Sequence, residues 1–363
     1  MIDRINRFAN LRNADMRLRL YGTLIATSLF FSMPSHPAAA PLRVPGPSTY
    51  KTWTAAHLPG NPEGIAFDAA GRLYASIWGT GQIVRLTDRG GADIIATLPN
   101  VALGIAGITT GIEFGPEGDL YAAYAWGYSL DGESDELNLR CRNSSDIYTG
   151  VYRINVSTGK VTPVLTKKDG WSACFPDDIA FDRGGNMYVS DLSLSGIWKI
   201  TPDRKATLWS KDRLLQWPAP PFYELSEGVN DIALSKDEHW LYVGTDGFPM
   251  LLRIPINADG SAGAAKILAR DLGAKDGLAV DELGDIYYTD ADEQRLLVFS
   301  PDGKQRLTIA TKDTAALDAP TSLEYHNGKI CVANSGSFSD PLSVSPTAPK
   351  SVTCISGYRR PTP

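Results

Sequence analysis

Six times between Pro62 and Ala333 the chain returns to one short pattern, and that repetition narrows its fold more than any other feature. Five returns are close: PEGIAFDAAGRLYAS (Pro62–Ser76), TTGIEFGPEGDLYAA (Thr109–Ala123), PDDIAFDRGGNMYVS (Pro176–Ser190), VNDIALSKDEHWLYVGT (Val229–Thr245) and KDGLAVDELGDIYYT (Lys275–Thr289). A weaker sixth is PTSLEYHNGKICVA (Pro320–Ala333). Each reads as an apolar strand, a turn rich in Asp and Gly, and a second strand that in the five close copies carries Tyr. A third strand follows, as in Gln82–Thr87, Gly196–Thr201 and Arg295–Ser300, and then a fourth, as in Asp93–Leu98 and Arg306–Thr311. Four antiparallel strands recurring every ~45 residues predict the blades of a propeller. One blade alone buries only part of its faces, so its core exists only when blades stack. The sixth unit runs out after its second and third strands, Lys329–Asn334 and Ser351–Gly357. Tyr50–Leu58 is free to supply the missing one. The expected fold is therefore all-β: a six-bladed propeller of four-stranded antiparallel blades, closed by an N-terminal strand so that no edge stays open.

The repeat also sorts residues by face. Inner strands start at the tunnel mouth and the Asp/Gly turns, such as Asp68–Gly71, lie beneath. Loops joining second to third strands return to the mouth, as do those entering each new blade. Gly127–Gly150, Trp209–Glu227 and Ser335–Lys350 are thereby expected to wall a site on one face. Cys141 and Cys174 fall on that face, and Cys331 and Cys354 on neighbouring strands of blade six, so the pairs Cys141–Cys174 and Cys331–Cys354 are expected. Cysteine as a metal ligand is the competing idea, but no CxxC spacing supports it.

Aligning the residue two before the first apolar residue of each inner strand gives a ring: Glu63, Thr110, Asp177, Asn230, Asp276 and Thr321. Three carboxylates and an amide converging on a narrow space raise one another's pKa or require a cation. Oxygen donors without His or Cys select a hard divalent ion, calcium first and magnesium second. The candidate ligands are Glu63, Asp177, Asn230 and Asp276. The plainer alternative is that these groups cap inner strands and hold tunnel water. Asp178 and Asp231, one residue along, are expected to face the other way and serve structure.

These blade starts resemble the gluconolactonase family, which includes regucalcin (senescence marker protein) and luciferin-regenerating-enzyme-like proteins, and more distantly diisopropylfluorophosphatase and strictosidine synthase. The likeness runs from Pro62 onward and is most specific in PEG at Glu63, VND at Asn230 and KDG at Asp276. It implies calcium held by those three residues, with Asp177 where the family often has Asn as a fourth ligand or substrate contact. It implies hydrolysis of a lactone or related small ester, with the metal polarising the carbonyl and Asp276 as base or nucleophile. Sugar-lactone members grip substrate with an arginine shortly before the blade-three ring position. Here that stretch is Ser172–Phe175 and holds none, which leaves Arg140 and Arg142 as substitutes. The competing functions are a non-catalytic exported binding propeller with a structural tunnel metal and a strictosidine-synthase-like condensing enzyme; three ring carboxylates oppose the latter.

Other classes are poorly served. The net charge is −6 and no basic run occurs beyond the N-terminus, so nucleic acid is excluded as a partner. His57, His239 and His326 lie in the closing strand or in underside turns, so no histidine base stands at the mouth. No GxSxG, HExxH or phosphate-cradling loop occurs. Asn143 and Asn155 begin N-x-S/T sequons, informative only in a eukaryotic secretory path. Arg17 and Arg19, an apolar stretch from Leu20 to Met33 and Ala38–Ala40 have the parts of a secretory signal. Residues 1–40 are expected to be that signal with a polar extension, Met16 being the natural start, and 41–363 one propeller domain. An uncleaved anchor is the alternative. The mature protein is expected to be secreted or periplasmic, off the membrane, with a small-molecule lactone as substrate.

Overall fold

Each recurring Asp shows why the repeat is spaced as it is. In blade one Asp68 Oδ1 accepts from the backbone N–H groups of Ala70 and Arg72 at 3.0 and 2.9 Å, folding the turn, while Gly71 takes φ +76°. Asp68 Oδ2 then accepts from Tyr74 O–H on the returning strand at 3.3 Å. Blade five repeats this with Asp281, which binds the N–H groups of Leu283 and Asp285 and the hydroxyl of Tyr287. One side chain thus sets the turn and pins the second strand, which is why Asp, Gly and Tyr recur together.

The protein is seen here as a computed structural model that describes residues 50–99, 107–126, 146–216, 228–246, 249–273, 275–336 and 350–358. The expected signal segment, Cys141, Arg140, Arg142 and Asn143 lie outside the described residues. Val44–Pro363 belongs to one compact unit. Its strands form six four-stranded antiparallel sheets. The innermost strands are Pro62–Phe67, Ile108–Phe114, Pro176–Phe181, Val229–Leu234, Lys275–Val280 and Pro320–His326. Second strands follow at Leu73–Ile77, Leu120–Ala125, Met187–Asp191, Trp240–Thr245, Ile286–Asp290 and Lys329–Asn334. The sixth blade is completed by Ser351–Ser356 and by the N-terminal Lys51–His57, which pair antiparallel from Lys51↔Ser356 to His57↔Ser351. Two sequence boundaries shift. Trp209 belongs to the outer strand Ala206–Ser210 of blade three, and Gly150 opens the third strand of blade two, so the corresponding loops are shorter than expected.

The core lies in the seams rather than at the centre. Six large apolar clusters each join neighbouring blades; one packs Ala66, Tyr74 and Ile83 against Ile112, Leu120 and Ala122, another packs Tyr242 and Leu251 against Leu278, Tyr288 and Phe299. This is the burial that a lone blade lacks. Cys331 and Cys354 are directly opposite on adjacent strands and form a disulfide. Cys174 is also disulfide-bonded; Cys141, its expected partner, lies outside the described residues. Among the described residues no helix is long and apolar enough to cross a membrane.

Candidate metal centre

Every innermost strand is irregular at the same place. Its pairing with the second strand slips between Pro62 and Ile65, Thr109 and Ile112, Pro176 and Ile179, Val229 and Ile232, Lys275 and Leu278, and Pro320 and Leu323. The two residues inside each slip are the ring residue and its successor. A bulge leaves them out of the ladder and re-aims the side chain. It carries no compositional signature, so the ring was visible in the sequence while its backbone cause was not.

The successors bind the seams. Asp178 Oδ2 accepts from Ile232 N–H of blade four at 3.0 Å, Asp231 Oδ2 from Leu278 N–H of blade five at 3.0 Å, and Ser322 Oγ from Ile65 N–H of blade one at 3.4 Å. Where the successor is Gly64 or Gly277, a Cβ would come within 2.6 Å of the next blade's backbone. There a second-strand hydroxyl does the joining: Ser76 Oγ accepts from Gly64 N–H and donates to Thr110 O, and Thr289 does the same for Gly277 and Thr321.

The ring residues divide into two kinds. Thr110 and Thr321 are fully buried and donate their hydroxyls to carbonyls of the next blade, Pro176 O and both Pro62 O and Glu63 O, all at 3.1 Å. Glu63, Asp177 and Asn230 are at least nine-tenths buried, and Asp276 is partly open. Glu63 Oε2 and Asn230 Oδ1 are buried without any hydrogen-bond partner. Burial drives the Glu63 pKa well above the carboxylate range, and the charges of Asp276, Asp177, Asp231 and Asp246 push it further. Asp231 thus serves a seam yet stays within electrostatic reach of the ring. Asp246 had not been singled out in the sequence. It follows the second strand of blade four, and its Oδ2 accepts from Asn230 Nδ2 at 2.9 Å.

A second column lies three residues further along each inner strand: Ala66, Glu113, Ala180, Ala233, Ala279 and Glu324. The alanines face Tyr74, Tyr188, Tyr242 and Tyr287 across the ladder, small against large. The glutamates face Tyr121 and Cys331. Burial first, then the charges of Glu324 and Asp178, hold Glu113 well above the carboxylate range; burial and the charge of Asp178 push Glu324 up to about 8. The aligned repeats contain this column, but within an apolar strand its two acids carry no signal of burial.

Other buried acids are saturated and excluded as sites. Asp191 accepts from the N–H groups of Cys174, Phe175 and Leu194 and from Trp198 Nε1. Asp290 accepts from Gly273 N–H, Glu293 N–H and Arg295. The ring differs. Its donors are all oxygen, two buried acceptors lack partners, and clustered negative charge raises Glu63. Those features fit a divalent cation. Among the described residues no three His, Cys, Asp or Glu side chains form a ready-made cage, and the fourth ring donor is an amide.

Comparison with known proteins agrees with this architecture. Residues 146–321 match the family model of the SMP-30/Gluconolactonase/LRE-like region, a span that includes Asp177, Asn230 and Asp276. No curated protein matches the sequence. Among solved structures the chain is similar to a gluconolactonase from Xanthomonas campestris (15% identity, TM-score 0.60, covering 85% of this chain and 89% of that one). It is also similar to the calcium-binding protein regucalcin from Agrobacterium tumefaciens (16%, 0.56, 85% and 94%). A third is the PQQ-bound aldose sugar dehydrogenase of Streptomyces coelicolor (16%, 0.58, 86% and 99%), whose different chemistry shows that such likeness speaks for fold alone. The chain is a six-bladed propeller whose residues 146–321 match the model of the SMP-30/Gluconolactonase/LRE-like region.

Proposed function

We propose that the protein is a divalent-cation-dependent hydrolase of a lactone or related small ester, with Glu63, Asp177, Asn230 and Asp276 as cation ligands and calcium as the preferred ion. The observation that carries this reading is the pair of buried, unpartnered acceptors, Glu63 Oε2 and Asn230 Oδ1, within a ring whose other members are acids or satisfied threonines. The family match over residues 146–321 and the named gluconolactonase and regucalcin neighbours support it. A bound cation would supply Lewis acidity toward the carbonyl of the substrate. Asp276, the most open of the four, is the residue suited to accept the proton of an attacking water at a carboxylate oxygen. The bulge fixes each ring side chain, and the buried hydroxyls of Thr110 and Thr321 keep the wall rigid between them. The disulfides support an oxidising compartment, secreted or periplasmic.

The test is hydrolysis of a lactone panel by the purified protein with calcium, magnesium, manganese or zinc, alongside Asp276→Ala. Turnover that needs a divalent ion and fails in Asp276→Ala supports the reading; no turnover with any ion defeats it. A second reading, a ligand-binding propeller with a structural cation, draws on the lack of arginine in Ser172–Phe175. In that case Asp276→Ala changes affinity or stability and no hydrolysis is found.

A further inference from the structure

Within the reading of the ring as a cation site, we infer that Asp246 is its positioning residue, fixing the amide of Asn230 so that Oδ1 is presented to the tunnel. Asp246 N–H donates to Gly228 O at 3.1 Å, two residues before Asn230. The same hook recurs as Trp78 N–H to Asn61 O (2.8 Å), Leu192 N–H to Phe175 O (2.9 Å) and Ser335 N–H to Ala319 O (3.1 Å). In each blade the acceptor lies two residues before the ring residue, so the hook ties one residue to the entry of each of four inner strands, with four different side chains. Those side chains are Trp, Leu, Ser and Asp.

The acid stands in blade four, where the ring residue is an amide. That pairing has a chemical reason. A carboxylate offers oxygen whichever way it rotates, whereas an amide has one acceptor end and one donor end. Turned the wrong way, Asn230 would aim N–H groups at a cation. An ionised carboxylate only accepts, so Asp246 can pair with Nδ2 and repels Oδ1. Asn230 Nδ2 does donate to Asp246 Oδ2 at 2.9 Å, and Asn230 Oδ1 is left buried without a partner. Partners that orient metal ligands in this way are worth about 10–100-fold in affinity.

The test is calorimetric titration of chelator-treated protein with calcium alone, with thermal melting in chelator to confirm folding. Asp246→Ala is expected to weaken binding about 10–100-fold. Asp246→Asn, whose Oδ1 still accepts from Nδ2, should recover most of that loss. In an Asn230→Asp background, orientation no longer matters and two carboxylates repel, so Asp246→Ala should leave calcium affinity unchanged or raise it. The inference is overturned if Asp246→Ala binds like the unsubstituted protein or if Asp246→Asn is as weak as Asp246→Ala. An equal loss in the Asn230→Asp background also overturns it. No calcium binding by the unsubstituted protein removes the cation reading and this inference together, whereas binding that is indifferent to Asp246 removes the inference alone.

Discussion

Blades two and six carry threonine at the ring and glutamate three residues on; blades one, three, four and five carry an acid or amide at the ring and alanine three residues on. The backbone is the same in both sets, since all six inner strands slip register over the same two residues. The difference lies in what the side chain can offer its neighbour. The adjoining blade turns carbonyl oxygens toward Thr110 and Thr321, and a hydroxyl can donate to them. A carboxylate or amide oxygen cannot. In four blades, then, the bulge holds acceptors that the neighbouring carbonyls cannot satisfy, and in two it makes a joint. Under the proposed function, one position becomes site or seam according to whether a hydroxyl there is donated to the next blade's carbonyl.

The largest effect is expected where the two sets are played against each other in function. Asp276→Ala should lower turnover by on the order of 10²–10⁴-fold, as for loss of a general base. Thr321→Val, at the equivalent position of the next blade, should leave kcat and calcium affinity within about threefold. Comparable losses in both would mean that the ring acts as one unit and break the division. The second effect is in stability. Thr321→Val leaves two buried carbonyls without that donor and should cost about 1–3 kcal/mol in denaturant unfolding, with Thr110→Val costing somewhat less. Calcium should not restore the loss. If calcium rescues Thr321→Val, the threonines belong to the site after all.

The smallest effect concerns the second column. Glu324 is held at about 8 by burial first and Asp178 second, with Lys236 drawing it partly back. Glu113, whose blade lies on the other side of blade one, feels the charge of Glu324 and has its own pKa raised. Between the ordinary value of 4.5 and about 8, the native protein keeps a proton that the unfolded chain has released. The resulting stability is complete below pH ~4.5 and is lost as pH rises through about 8. Glu324→Gln should therefore flatten the decline of the melting temperature between pH 5 and 8.5. At the alkaline end it should melt about 1–2 °C higher for each kcal/mol recovered. Parallel melting curves for the two proteins would show that the column carries no such proton.

The inner strands, the closing strand and the ring were legible because each rests on residue types repeated at one spacing. The turns were legible for the same reason, Asp68 and Asp281 each doing two jobs that any Asp at that place can do. What escaped depended on pairing rather than composition. Nothing in PEG or VND marks a bulge, and nothing in Asp178 or Asp231 says that the carboxylate will take an N–H from the following blade. Asp246 lies sixteen residues from Asn230 and meets it only through the backbone hook of blade four. Glu113 and Glu324 stood in the aligned repeats, yet an acid amid apolar strand residues reads as surface until the sheets are arranged around an axis.

The closing strand has a consequence in time. Lys51–His57 finds its partner in Ser351–Ser356, about 300 residues later. At ~5–20 residues per second the first strand waits roughly 15–60 s for that partner to be made. All the strands of the first five blades precede Ser351–Ser356 in the chain, but the sixth blade cannot shut until that strand has been made. Glu63, on the strand that follows the early arrival, therefore waits beside an unfinished neighbour until then. A chain that stopped short of Ser351 would lose more than a strand: it would remain a spiral with two sticky ends.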